Sequence, residues 1–299
     1  PEGNRMASFF ETGTKWVNSV AFDGANKEGN FRLSYTNHDE KGMLPNSTIK
    51  KNNVNFSGSY KFTKKLTVSA NVSYSNQSAV GRYGTGYDSG NVMQSFGQWT
   101  QTNLDYRRLE NYISPTGMHR TWNYNYVDDL TPIYFDNPYW VRYKNFEDDS
   151  RNRLLGYTSL DYKFTDWLTA TLREAVDSWT DIQNERIAKG SNPTSDYTNF
   201  SRTFKETNTD LLLKFKKNFG DISLNGLIGG NLRDQTRYTN RASTVGGLSA
   251  ENLYTIGNSV SPASVQETDV SLGEQSIFAN ASVGYKNLVY LEGTARMDQ

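Results

Sequence analysis

The residues with the most chemistry to offer lie between positions 76 and 150. That stretch holds Trp99, Tyr106, Tyr112, Trp122, Tyr124, Tyr126, Tyr134, Phe135, Tyr139 and Trp140, with Arg107, Arg108, Asp128 and Asp129 among them. Flat aromatic faces beside amides, carboxylates and guanidinium groups suit a sugar ring or a peptide backbone. Tyr, Trp and Arg also dominate the energetic centres of protein interfaces. The same side chains can equally pack a long loop onto itself. Ligand contact, partner contact and loop packing therefore all stay open for Trp99, Arg107, Arg108, Trp122, Tyr124, Tyr126, Tyr134, Tyr139 and Trp140.

Other constellations fall short of a reaction. Asp128-Asp129 and Glu147-Asp148-Asp149 lack the alternating carboxylates and glycine of a calcium loop and read as solvated acidic turns. His38 and His119 lie on separate loops, and two histidines are too few for a zinc site. No Gly-x-Ser-x-Gly elbow occurs, and no phosphate-cradling loop with Lys-Ser/Thr. Gly81, Gly84, Gly86 and Gly90 mark a flexible loop, because no βαβ unit surrounds them. Without cysteine there is no disulfide, thiolate site or thiol nucleophile. The expectation is a protein without cofactor or metal that is not an enzyme.

Composition narrows the class further. Over 299 residues, Lys+Arg and Asp+Glu both number 32, so the net charge is zero and a nucleic-acid partner is not expected. The mean hydropathy of −0.73 goes with the absence of any apolar run long enough for a membrane helix. A membrane β-barrel stays open, since only alternate residues of its strands must be apolar. Aromatics reach 13%, too rich for a disordered chain.

The elements that would position these groups are strands. Val54, Phe56, Gly58, Tyr60 and Phe62 alternate with Asn55, Ser57, Ser59, Lys61 and Thr63. After a turn the pattern resumes with Leu66, Val68, Ala70, Val72 and Tyr74, interleaved with Thr67, Ser69, Asn71, Ser73 and Ser75. Successive strand side chains point to opposite faces, so each strand has one apolar and one polar face. The same alternation pairs 16–25 with 31–35, 154–164 with 168–176, 211–215 with 222–232, and 277–285 with 288–295. About ten antiparallel strands in five hairpins follow.

The connections are unequal. Within hairpins they are short; between hairpins the segments 37–49, 76–150, 178–205 and 234–268 read as long loops. An up-and-down arrangement then gathers all short turns at one end, as in a transmembrane β-barrel with short periplasmic turns and long extracellular loops. Tyr60, Phe62, Tyr74, Tyr162, Phe164, Phe215, Phe219 and Tyr285 are expected to form an interfacial girdle. Tyr60-Lys61-Phe62-Thr63 and Tyr162-Lys163-Phe164-Thr165 are identical and stand before equivalent turns. The alternative is a soluble β-sandwich, a surface binding or adhesion module with the same residues as core.

At this point the chain resembles part of the barrel domain of SusC/RagA-type TonB-dependent outer-membrane transporters. The resemblance is carried by 16–24 followed by 30–35, by 52–75 with its Ser-Tyr-Lys-Phe-Thr core, by 276–285 running on to 291–298, and by Asp136-Asn137-Pro138-Tyr139-Trp140. It spans nearly all of 1–299 in order. Such transporters have an N-terminal plug and about 22 strands, so the resemblance implies roughly half a barrel, with the plug and further strands outside this chain. It also implies TonB-dependent import of an oligosaccharide or peptide, a SusD-like lipoprotein cap, contact with TonB through segments outside this chain, and outer-membrane lipid around the wall.

Overall fold

The computed structural model describes residues 6–82, 84–98, 100–101 and 103–299. Ten strands form one antiparallel sheet in sequence order. They are β1 (Thr14–Ala25), β2 (Gly29–Lys41), β3 (Thr48–Lys61), β4 (Leu66–Val80), β5 (Glu147–Lys163), β6 (Leu168–Ile187), β7 (Asp196–Phe219), β8 (Ile222–Leu248), β9 (Ser259–Tyr285) and β10 (Val289–Asp298). No second sheet packs on this one among the described residues, so the sandwich alternative is not what forms.

Each expected strand is present, but most run further toward the long-loop end than alternation suggests. The stretches 37–49, 178–205 and 234–268 shrink to the connections 42–47, 188–195 and 249–258. Their reading as long loops is corrected here. The ladder continues where neither face is apolar, and there the backbone still pairs while the apolar/polar contrast vanishes. β8 and β9 are 27 residues each, far more than the ~9–11 a strand needs to cross a membrane.

The turns explain the repeated tetrapeptide. Thr63 Oγ1 accepts from the Lys65 and Leu66 amides, and Thr165 Oγ1 accepts from those of Trp167 and Leu168. Above each threonine an aromatic pair meets edge to face, Tyr60 with Phe62 at 5.1 Å and Tyr162 with Phe164 at 4.9 Å. Each threonine closes the turn locally, which frees the rings to stay on the outer face. Asn26 does the same work in the first turn, accepting from the Glu28 and Gly29 amides.

Register aligns the two faces across all ten strands. Phe22–Leu33–Phe56–Val72 form one apolar row, and Leu172–Leu211–Gly230–Ile277–Met297 another. These side chains cover nothing: Leu211 is 57% exposed and Ile277 63%. Glu174 interrupts the apolar face and accepts from the Thr209 hydroxyl. Phe278 points to the polar face, where Gly229 leaves room for its ring; a Cβ on that glycine would stand 2.7 Å from it.

The buried apolar core lies off the sheet. Phe9, Val92, Phe96, Tyr106, Leu109, Tyr139 and Val141 cluster at the long-loop end. They come from a 3₁₀ turn (Met6–Phe9) and from the connection 81–146, which carries α1 (Val92–Gln98), a 3₁₀ turn (Tyr106–Glu110) and α2 (Pro138–Tyr143).

Candidate functional site

Three layers stand along the sheet axis. The first is the apolar band. Tyr60, Phe62, Tyr162, Phe164, Phe215, Phe219 and Tyr285 lie toward the short-turn end of the sheet. Tyr74 does not: it sits at the opposite edge, in the row Val20–Tyr35–Val54–Tyr74–Leu154. One row further out, five consecutive strands present asparagine: Asn18–Asn37–Asn52–Asn76–Asn152. The tyrosine hydroxyls reach up to it, Tyr35 donating to Asn52 at 2.7 Å and Tyr74 to Asn152 at 3.3 Å. Asn37 and Asn76 donate into the same acceptors. The apolar band thus has a polar upper border, drawn by side-chain amides that need hydrogen-bond partners.

The second layer is the loop cap. Asn137 starts α2: its side chain accepts from the Tyr139 amide and donates to the carbonyls of Leu109 and Arg120. Pro138 at the first helical position fits, since no amide is needed there. Arg142 is buried and donates to the carbonyls of Pro45, Asn46 and Gly81. One guanidinium thus ties three separate chain segments together. His119 stacks on Trp140 at 4.3 Å. Its Nδ1 donates to the Gly190 carbonyl, and its Nε2 accepts from the Asn137 amide. The two partners fix the tautomer, because a carbonyl only accepts and an amide only donates. Burial pulls the His119 pKa down to about 4. Asp136 lies 3.6 Å from that ring, and burial pushes its carboxyl up to about 7, against the opposing bonds from Asn192 and Asn145.

The candidate loop residues part company in this cap. Tyr139 and Trp140 are buried; Tyr139 belongs to the core, and the Trp140 indole donates to Ser191 at 2.8 Å. Trp122 is half-buried against the same core. Arg107, Arg108, Tyr124, Tyr126 and Tyr134 are exposed on the cap surface. Trp99 lies outside the described residues.

The third layer is the polar face of the sheet. It carries a ladder of ion pairs that starts low on the face and ends level with Trp179: Arg173 with Asp210 at 2.6 Å, Arg233 with Glu206 at 2.7 Å, and Arg153 with Asp177 at 2.7 Å. Arg296 closes on Glu274 and Asp298. Toward the long-loop end the face becomes aromatic and cationic. Trp179 and Phe204 stack at 5.6 Å and 20°. Arg151 lies over Trp179, Arg202 over Phe200 and Arg237 over Phe204. Asp181 pairs with both Arg151 and Arg202.

The aromatic and cationic end of this wall lies largely within 178–205 and 234–268, which alternation alone assigns to loops. Its signal was nonetheless present, since Asp177-Trp179-Asp181 and Arg202-Phe204-Glu206 keep period 2 with functional groups on one side.

No protein-family model and no curated protein matches the sequence. Solved structures do match. The chain is similar to the RagAB peptide transporter, with a TM-score of 0.74 at 14% identity over 95% of this chain and 32% of that one. At this identity the match shows the fold alone, that of part of the RagAB transporter chain. The RagAB peptide importer in its "open-open" state matches with a TM-score of 0.71 at 16% identity, over 97% of this chain and 32% of that one. The siderophore receptor PiuA from Acinetobacter baumannii gives 0.55 at 12% identity, over 97% and 41% of the two chains. The chain spans about a third of the RagAB chains it matches.

Proposed function

We propose that this chain forms part of the wall of a TonB-dependent outer-membrane importer that takes up peptide or oligosaccharide with a SusD-like lipoprotein. One observation carries the reading: ten strands expose one continuous apolar face, edged by aromatics and amides, against one continuous charged face. Lipid suits the first and a hydrated lumen the second. A closed barrel also removes the strand edges, whose free amides hydrocarbon would penalise. The ion-pair ladder gives the wall a hydrated interior that a plug can slide against. Substrate entering from the outside meets the cap first and the aromatic and cationic wall next.

The exposed set Arg107, Arg108, Tyr124, Tyr126 and Tyr134 is the contact surface we assign to the lipoprotein. Uptake of labelled peptide and oligosaccharide pools by cells making the full-length transporter tests the import reading. Accumulation should vanish when TonB is disrupted; accumulation that survives rejects the reading. Changing Tyr124, Tyr126 and Tyr134 to alanine should lower co-purification of the lipoprotein at least tenfold without unfolding the barrel. Unchanged yield removes the assignment of that surface.

A further inference from the structure

On the upper polar face, two arginines of β8 have no acid of their own among the described residues. Arg151 and Arg202 share Asp181, and Arg153 is taken by Asp177. Arg237 and Arg241 are different. Both are exposed on β8 and point to the polar face. Across the ladder Arg237 faces Phe204 and Val270, and Arg241 faces Phe200 and Gln266. Neither reaches a carboxylate among the described residues; Arg237 has only the Phe204 ring beneath it, at 5.9 Å. The two are four residues apart on one strand face, so their backbones stand roughly 13 Å apart. Arg202 lies opposite Thr239, midway between them.

An exposed arginine lying over an aromatic ring, with no acid to hold it, is ready to accept a planar anion. The guanidinium fork matches a carboxylate bidentately, and the ring beneath restricts its motion. The stacked Trp179 and Phe204 add a flat apolar surface next to it. Lower on the same strand Arg233 is matched by Glu206 and Glu274, so Arg237 and Arg241 are the β8 polar-face arginines left without an acid among the described residues.

The geometry points to a carboxylate-binding subsite formed by Arg237 and Arg241, with Phe204 beneath Arg237, which selects anionic substrates at the entrance of the lumen. The inference rests on the import reading and narrows its substrate class. Carboxylates come from acidic peptides or from uronate-bearing oligosaccharides, and the two sources are separable.

The test is binding to the full-length transporter in detergent, which needs no energy source and so stands apart from the uptake assay. Four probes are titrated: an aspartate-rich peptide, the same peptide with asparagine and an amidated end, an oligogalacturonate, and the neutral galactose oligomer. The wild type should prefer the acidic member of at least one pair by about tenfold or more. The double variant Arg237→Gln/Arg241→Gln should erase that preference while leaving the neutral probe and the folded-barrel mobility on gels unchanged. Acidic and neutral probes binding alike to the wild type, no binding of either acidic probe, or a preference that survives in the double variant overturns the inference.

Discussion

His119 and Asp136 set a test for the cap at the level of single protons. The His119 pKa is lowered to about 4 from an ordinary 6.5, so the unfolded cap binds this proton first as pH falls. On its own that erodes cap stability as pH drops from about 6.5 to 4. The Asp136 pKa is raised to about 7 from 3.8, so its contribution is lost as pH rises through that window. The two slopes oppose each other between about pH 4 and 6.5. Local stability of 132–145, followed by hydrogen exchange corrected for intrinsic rates, should be flat there in the wild type. Asp136→Asn should make the cap acid-sensitive, and His119→Gln should make it weaken as pH rises. Identical pH profiles for the three proteins would contradict this account of the pocket.

At the scale of the strand, the two faces should answer oppositely to the same change. Leu211 sits exposed within the apolar band on β7, and under the import reading an arginine there faces hydrocarbon. Leu211→Arg should cost about 2–4 kcal/mol, the usual price of a cation at the bilayer midplane. Ser73 on β4 faces the polar side between Asn55 and Leu155. Ser73→Arg should cost less than about 1 kcal/mol, because its head reaches lumen water. Urea unfolding of the full-length protein in lipid vesicles measures both. Equal losses would mean that the two faces do not meet different solvents.

The whole molecule makes a claim about sides. All short turns gather at one end of the sheet and the cap at the other, so a membrane around the apolar band separates Lys64 from Tyr126. The chain has no cysteine, so single thiols can be introduced without background. In whole cells a membrane-impermeant maleimide should label Tyr126→Cys at once. Lys64→Cys should react only after the outer membrane is permeabilised. Labelling of both in intact cells would place the short turns outside and undo the assignment of the ends.

Period-2 alternation located every strand, since one face of each had to be apolar and the other polar through 54–62, 66–74 and their counterparts. The hairpin turns were legible for the same local reason: threonine and asparagine satisfy nearby amides without help from elsewhere. The strand ends were not legible. From the row Ser178–Lys205–Thr236 outward the formerly apolar positions turn polar, so Trp179, Phe204 and Arg237 read as loop residues although their backbones remain paired. The fate of the long connection also lay beyond local pattern. Burial of Tyr139, Trp140 and Arg142 depends on Phe9, Pro45, Gly81 and Ser191, which only the folded chain brings to them. Sequence alone decided which face of each strand is apolar and which polar; register and long-range packing decided which aromatics remain exposed and which arginines are left without an acid.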